Sequence, residues 1–381
     1  MAASPAIAGL ALHKTEFKSL PGWTLDQQQR AIFPMQRACT IIINKIRYNQ
    51  WDTRTNNKLW ARSCRVILKV SPHVSAAEAR RILQTWYVPY QVYDGSANSG
   101  LFTGYYNPTI PGSLTETAYF SVPIYARPRD LVKIDLGLID KRLAGHYGYR
   151  LKDSQGYQAL PTRAEIAAGV PLPHTQVLAW VHDDADRFFM QIQGSGSIQL
   201  PHGAILLLGY DGQNGQTYYP IGKYLIATGA IPKTQVSMQT IRAWLNRHPD
   251  EASAVLNLDP SFVFFKKLNT EQPLGSMGIP LTPGRSLAVD DDYIALGTPL
   301  WLSTYLPKPT ADSIQAGAVL QRLVVALDTG GAIKGTIRGD VFWGSGGKAQ
   351  WLAGHMQSQG QYWLLLPKGI VPGSIKIPKI Y

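Results

Sequence analysis

The sequence predicts a mainly β protein of two domains, or of one with a large insertion, with a helical amino-terminal region and a helical interlude between two runs of strands. Three observations carry that expectation. The chain has 381 residues, above the roughly 100 to 200 of a typical single domain. Glycine (35), proline (26), tyrosine (19) and tryptophan (10) are abundant, and turn formers with aromatics are the materials of short strands and loops. Apolar residues make up 45% and charged residues 16%, a balance that buries a core and is unlike that of a disordered or coiled-coil chain.

The elements follow in chain order. The first hundred residues read as helical. Thr24 followed by Gln27, and Ser75 followed by Glu78, have capping-box spacing, and the second opens a helix to about Tyr87 with Ala79, Ile82 and Trp86 on one stripe. From Leu101 onward, short β-branched and aromatic runs broken by Gly, Pro and Asn predict strands at Tyr119 to Tyr125, Val177 to Val181, Arg187 to Ile192 and Ala204 to Gly209. Asp211-Gly212 and Asn214-Gly215 have the composition of hairpin turns. Helices are expected near Ile221 to Thr228 and Met238 to Arg247, ending before Pro249. Strand texture returns at Phe262 to Lys267, Ser286 to Val289, Leu323 to Leu327 and Tyr362 to Leu366, with no internal repeat.

No stretch approaches the ~20 apolar residues of a membrane span. The segment Met1 to Leu12 is apolar without a charged stretch before it or a cysteine to lipidate, so it does not read as an intact signal peptide. Lys and Arg number 37 against 25 Asp and Glu, a net charge of +12, and residues 1 to 70 hold eleven basic and three acidic side chains. Such a face attracts polyanions, whether nucleic acid, anionic lipid headgroups or a carboxylate-bearing wall polymer. Cys39 and Cys64 lack CxxC spacing and a nearby His, which leaves a disulfide or two buried thiols open and gives no support to a zinc site.

The sequence contains no GxxxxGK[ST], HExxH or GxSxG, and its eight histidines are scattered. Gly194-Ser195-Gly196-Ser197 reads as a glycine loop between strands. The stretch from Asp328 to Gly344 is the densest in candidate chemistry. Asp328 ends an apolar strand, and Asp340 precedes a Phe-Trp pair able to desolvate it, an environment for an acid kept protonated. The alternative is that both aspartates merely hold tight turns.

Several blocks resemble the membrane-bound lytic murein transglycosylase A family. They are Leu101 to Pro108 (LFTGYYNP), Gln191 to Gly196 (QIQGSG), Gly209 to Gly215 (GYDGQNG), Pro260 to Phe265 (PSFVFF) and Arg285 to Asp290 (RSLAVD). The Asp328 to Gly344 stretch resembles that family's carboxy-terminal three-aspartate module, and the blocks span roughly two thirds of the chain in the expected order. The resemblance implies a double-psi β-barrel domain built from residues 1–107 and 247–381, a smaller β-barrel-like domain inserted at 108–246, and a glycan groove between them.

It implies further that Asp340 is the single catalytic acid, with Asp328 supporting it and Asp290 as the third aspartate of the module. Thr103, Tyr106, Gln193, Ser195 and Gly196 fall on groove segments, Tyr105, Tyr106 and Trp343 offer faces for sugar stacking, and Lys334 is left between substrate contact and solvent. The implied reaction cleaves the β-1,4 bond between N-acetylmuramic acid and N-acetylglucosamine and forms a 1,6-anhydro ring, with no metal or cofactor. The implied setting is an outer-membrane lipoprotein facing the periplasm and acting on peptidoglycan strands, with wall-synthesis or division proteins as further partners, no nucleic acid, and a monomer as the default. Two other readings stay open: a water-using glycoside hydrolase with Asp328 and Asp340 as its carboxylate pair, and a noncatalytic expansin-type glycan binder.

Overall fold

The computed structural model describes residues 9–371 apart from 49, 51–55, 136–146, 154–155, 173 and 310–313. The first eight residues of the apolar amino end lie outside the described residues. The chain begins with β1 (Leu10–Lys14), α1 (Gln29–Arg47), α2 (Asn57–Ile67), α3 (Ala76–Trp86), β2 (Tyr87–Asp94), β3 (Gly100–Asn107), β4 (Thr109–Ser113) and β5 (Val122–Tyr125). It continues through β6 (Leu131–Asp135), β7 (Tyr147–Asp153), β8 (Gly156–Ala159), α4 (Arg163–Ala167), β9 (Val177–Val181), α5 (Asp184–Gln193), β10 (Ser195–Gln199) and β11 (Ile205–Gln213). Helices α6 (Ile221–Ala227), α7 (Met238–Arg247) and α8 (Pro249–Leu256) follow, then β12 (Val263–Lys267) and β13 (Ser286–Val289). Last come β14 (Pro299–Pro309), β15 (Ile314–Asp328), β16 (Arg338–Ser345), α9 (Gly347–His355) and β17 (Gln357–Pro367).

Two β assemblies organise these elements. The first has strand order β1-β2-β17-β14-β15-β13-β16-β3, and β3 also pairs with β17, so six of its strands close on themselves. Closure removes the open edges a flat sheet would leave. The second assembly has order β12-β11-β10-β4-β9-β5, and a bridge from Ala126 to Phe265 brings its two ends together. Strand β12 lies beyond residue 246, yet it pairs with β11 of this second assembly. A small third sheet joins β6, β7 and β8.

Helices α1 to α3 pack their apolar stripes on the first assembly. Ala31, Ala38, Ile42, Trp60, Ile67, Ala79 and Leu83 share one core with Leu287, Val325 and Leu365. Trp301 sits fully buried at its centre with Trp23 edge-on at 4.9 Å. Cys39 and Cys64 form a disulfide that ties α1 to α2, resolving the open alternatives. A buried ion pair fastens the amino-terminal loop to the barrel: Arg285 donates from both terminal nitrogens to Asp26, at 2.8 and 2.7 Å.

Several sequence expectations need correction. Ser75 caps α3 as expected, accepting from the Glu78 amide, but Thr24 lies in a turn, and α1 starts at Gln29 after an N-cap residue, Gln28, whose side chain makes no capping bond. The carbonyl of Thr24 instead accepts from Arg80, and the Gln28 amide donates back to Trp23. Arg187 to Ile192 belongs to helix α5, because Asp183 caps its first turn and Gly194, at φ 74°, ends it in the left-handed region. Ser195 to Ser197 is strand β10, paired with β11 and β4, and no loop. Asp211-Gly212 lies inside β11 at a bulge, and the Asn214 side chain is a buried brace that donates to the Pro161 and Pro260 carbonyls, so neither dipeptide makes a hairpin turn. Helix α8, with Pro249 in its first turn, and the strands β1, β2 and β14 were not anticipated.

Candidate active site

The barrel's register builds the site. Ala288 on β13 pairs with Asp328 on β15 and also with Asp340 on β16. Asp340 pairs in turn with Thr103 on β3, and Thr103 with Gln357 on β17. Paired residues on neighbouring strands point to the same face, so Asp328, Ala288, Asp340, Thr103 and Gln357 form one row across the barrel. With strands about 4.8 Å apart, the two aspartate Cα atoms stand about 10 Å from each other across the small Ala288 side chain.

The two carboxyl groups have different surroundings. Asp328 receives four hydrogen bonds. Its Oδ1 accepts from the Ser276 amide at 2.9 Å, the Ser276 hydroxyl at 2.7 Å and the Thr329 amide at 2.9 Å, and its Oδ2 accepts from the Tyr105 hydroxyl at 2.8 Å. Three donors crowd Oδ1, and Oδ2 keeps one of its two acceptor positions. Burial pushes the Asp328 carboxyl above its ordinary value, and the bonds from Ser276, Tyr105 and Thr329 pull it back. The Tyr105 hydroxyl is held protonated by burial and by the neighbouring Asp328.

Asp340 accepts one side-chain hydrogen bond, from Thr103 Oγ1 to its Oδ1 at 2.7 Å. Burial pushes its carboxyl up to about 6, against the opposing pull of the Arg338 charge and the Thr103 hydrogen bond, while Asp328 adds to the rise. The row therefore holds one aspartate fixed by four donors and one, with a single side-chain donor, poised to carry a proton. Beside it a groove of about 390 Å³ is lined by Thr103, Gln193, Tyr218, Lys233, His355 and Gln357 among others. Its walls come from β3 and β17 of the first assembly and from helices α5, α6, α7 and α9 with their adjoining loops.

The structure separates the remaining sequence candidates. Thr103 and Tyr105 join the aspartates directly, and Gln193 lines the groove while its Oε1 accepts from the Tyr106 amide at 2.9 Å. Ser195 is buried and donates to Asn107, joining β10 to β3, and a side chain on Gly196 would strike Met190, so Gly196 lets β10 pack closely on α5. Tyr106 packs under α9 with Ala349 and Ala353. Trp343 lies on the opposite face of β16 from Asp340, against Gly104 and under the Arg322 guanidinium. Asp290 is 2% exposed and accepts from the Gly335 amide at 2.8 Å and from Lys334 at 3.2 Å, so the pair braces the loop between β15 and β16. Ser195, Gly196, Tyr106, Trp343, Asp290 and Lys334 each make contacts within the protein, and the Lys334 side chain stays 58% exposed.

Three contributors escaped sequence reasoning: Ser276, Ala288 and Arg338. Arg338 stands two residues before Asp340 on one strand, a spacing that places both side chains on the same face. Among the described residues no group of three or more His, Cys, Asp or Glu is arranged to hold a metal ion.

Residues 101–266 match the model of the MltA specific insert domain, and residues 285–366 match the 3D domain. The membrane-bound lytic murein transglycosylase A of Escherichia coli (strain K12) is 36% identical over 276 residues, covering 71% of this chain and 67% of the relative. A crystal structure of a membrane-bound lytic murein transglycosylase from Agrobacterium tumefaciens superposes with a TM-score of 0.81 at 30% identity, covering 94% of this chain and 98% of that one. The crystal structure of E. coli MltA with bound chitohexaose gives a TM-score of 0.64 at 31% identity, covering 87% of this chain and 90% of that one.

Proposed function

The chain belongs to the family of membrane-bound lytic murein transglycosylase A, and from that premise we propose how its aspartate row performs the reaction. The protein is a lytic murein transglycosylase. Asp340 enters the reaction protonated and donates to the oxygen that links N-acetylmuramic acid to N-acetylglucosamine, as charge develops on the muramic C1. The muramic 6-hydroxyl then attacks C1, and the Asp340 carboxylate takes the hydroxyl proton. The bond to the leaving oxygen breaks, the 1,6-anhydro ring closes, and no water is consumed.

The observation that carries this reading is the asymmetry of the two carboxyl groups. Burial raises both carboxyls, but Asp340, pushed up to about 6, meets one side-chain donor, whereas Asp328 is held by four donors, three on Oδ1 and one on Oδ2. An inverting hydrolase needs its second carboxylate free to activate water, and a retaining one needs it free as a nucleophile. Asp328 instead holds Tyr105 and the 276 and 329 backbone against the row, a positioning role. Thr103, Tyr105 and Gln193 are the candidates for contact with the glycan.

The E. coli relative crystallised with chitohexaose supports binding of peptidoglycan glycan strands in the groove beside the aspartate row. Closure of six strands, with parallel pairs β13–β15 and β3–β16, supports a double-psi barrel. The pairing of β12 with β11 favours an inserted unit running to about residue 267 in place of 246. The membrane-bound relatives place the family in the cell envelope. We infer an outer-membrane lipoprotein facing the periplasm; the Cys39–Cys64 disulfide fits such an oxidising compartment, and no helix of the described residues is long and apolar enough to cross a membrane.

The test is the pH dependence of kcat/KM for solubilising sacculi. An acid with a pKa of about 6 gives a rate that falls tenfold per pH unit above that value. A rate that stays level from pH 6 to 8 would remove Asp340 from this role.

A further inference from the structure

Beside Asp340 lies a short hydrogen-bonded chain that the reaction scheme does not use. Arg338 Nη2 donates to Thr103 Oγ1 at 2.9 Å, and Thr103 Oγ1 stands 2.7 Å from Asp340 Oδ1. Arg338 is itself anchored, with Nη1 donating to the Gly339 carbonyl at 2.6 Å and to the Leu101 carbonyl at 3.3 Å. A guanidinium has no acceptor, so it always presents a proton to the threonine oxygen. The single hydroxyl proton of Thr103 is therefore free to point only one way along this chain, toward Asp340 Oδ1.

From this we infer that Arg338 and Thr103 are positioning residues that confine the acid's proton to Oδ2 and stabilise the carboxylate left behind when that proton is given up. Oδ1 accepts from Thr103 in both protonation states, so the acid proton resides on the other oxygen. When the glycosidic oxygen takes it, negative charge appears on a carboxylate already bonded to Thr103 and within the field of Arg338. Both interactions grow as the transition state forms, the condition under which an interaction lowers a barrier.

The direction of the arrangement is also informative. The groups facing Asp340 are Arg338 on its own strand, Thr103 and Tyr105 on β3, and Asp328 across Ala288 on β15. Burial and the Asp328 charge favour the protonated acid, whereas Arg338 and Thr103 oppose them. The relay thus keeps a buried acid strong enough to part with its proton near neutral pH.

The inference rests on Asp340 being the acid, and the experiment separates the two claims. Thr103→Val, Thr103→Ser, Arg338→Gln and Asp340→Asn are compared with the unaltered protein by pH profiles of kcat/KM on sacculi, with circular dichroism to confirm folding. Thr103→Val and Arg338→Gln are expected to lower kcat at least tenfold and move the alkaline limb up by about one pH unit, because the carboxylate loses a stabilising partner. Thr103→Ser retains the hydroxyl and is expected to restore both the rate and the limb. A limb that does not move in Thr103→Val, or a Thr103→Ser variant as impaired as the valine, overturns the relay while leaving Asp340 in place. Full activity in Asp340→Asn overturns the acid assignment and the relay with it.

Discussion

Replacing Asp340 by asparagine is expected to abolish activity and to stabilise the fold at alkaline pH. Asn is nearly isosteric, and its Oδ1 can still accept from Thr103, so the substitution removes chiefly the ionisation. In the folded protein the carboxyl titrates near 6, above its ordinary 3.8. The native state therefore holds the proton more tightly than the unfolded chain does. Relative stability from this group is full below the unfolded value and is lost as pH rises through the folded one. A shift of this size corresponds to about 3 kcal/mol once both states are ionised.

The asparagine of the variant is neutral throughout and suffers no such loss. The stability difference between variant and unaltered protein should accordingly grow by about 2 kcal/mol between pH 4 and pH 8, because pH 4 already lies just above the unfolded value. For 381 residues unfolding cooperatively, that amounts to about 3 °C in the thermal midpoint. Paired thermal melts at the two pH values measure it. A difference that is the same at both, or that shrinks as pH rises, would refute the view that Asp340 is an acid held protonated by its surroundings.

Two further predictions concern the frame that holds the row. Asp26→Ala leaves the Arg285 guanidinium buried and unpaired directly before β13, and should cost about 3–5 kcal/mol in denaturant unfolding; a loss below about 1 kcal/mol would mean that water reaches the site and solvates the arginine. Reduction of Cys39–Cys64, which closes a loop of sequence separation 25, should cost about 2–4 kcal/mol and leave the Asp340 pH profile unchanged, since the groups bonded to Asp328 and Asp340 come from residues 103, 105, 276 and 329 and not from α1 or α2. A melt insensitive to reductant, or a shifted profile, would contradict that separation.

Local chemistry explains which features were legible before any coordinates. Val177 to Val181, Ser286 to Val289 and Met238 to Arg247 coincide with β9, β13 and α7 because their patterning and flanking turn residues agree with their final environment. Arg187 to Ile192 failed because its paired phenylalanines and isoleucine favour a strand, while the signal that decides the matter, Asp183 capping the first turn, lies upstream of the run. Asp328 and Asp340 stand out from composition and neighbouring residues. Their relation does not, because Ala288 joins them through one parallel and one antiparallel pairing, neither of which is encoded in local spacing.

The same limit applies to the residues around them. Asp290 belongs to the same group of aspartates in sequence, yet its carboxylate is taken up by Gly335 and Lys334. Ser276 reaches Asp328 from 52 residues away and leaves no mark in the local sequence. Arg338 could have been found, since its spacing of two from Asp340 puts them on one face once β16 is recognised as a strand.

The most direct test of the account is mass spectrometry of the soluble muropeptides released from purified sacculi, by this protein and by Asp340→Asn. The account predicts products lighter by one water than those of hydrolysis, with a 1,6-anhydro end, and none from the variant. Products with reducing ends would show that water is the nucleophile, and binding to sacculi without soluble products would show a glycan-binding barrel; either result contradicts it.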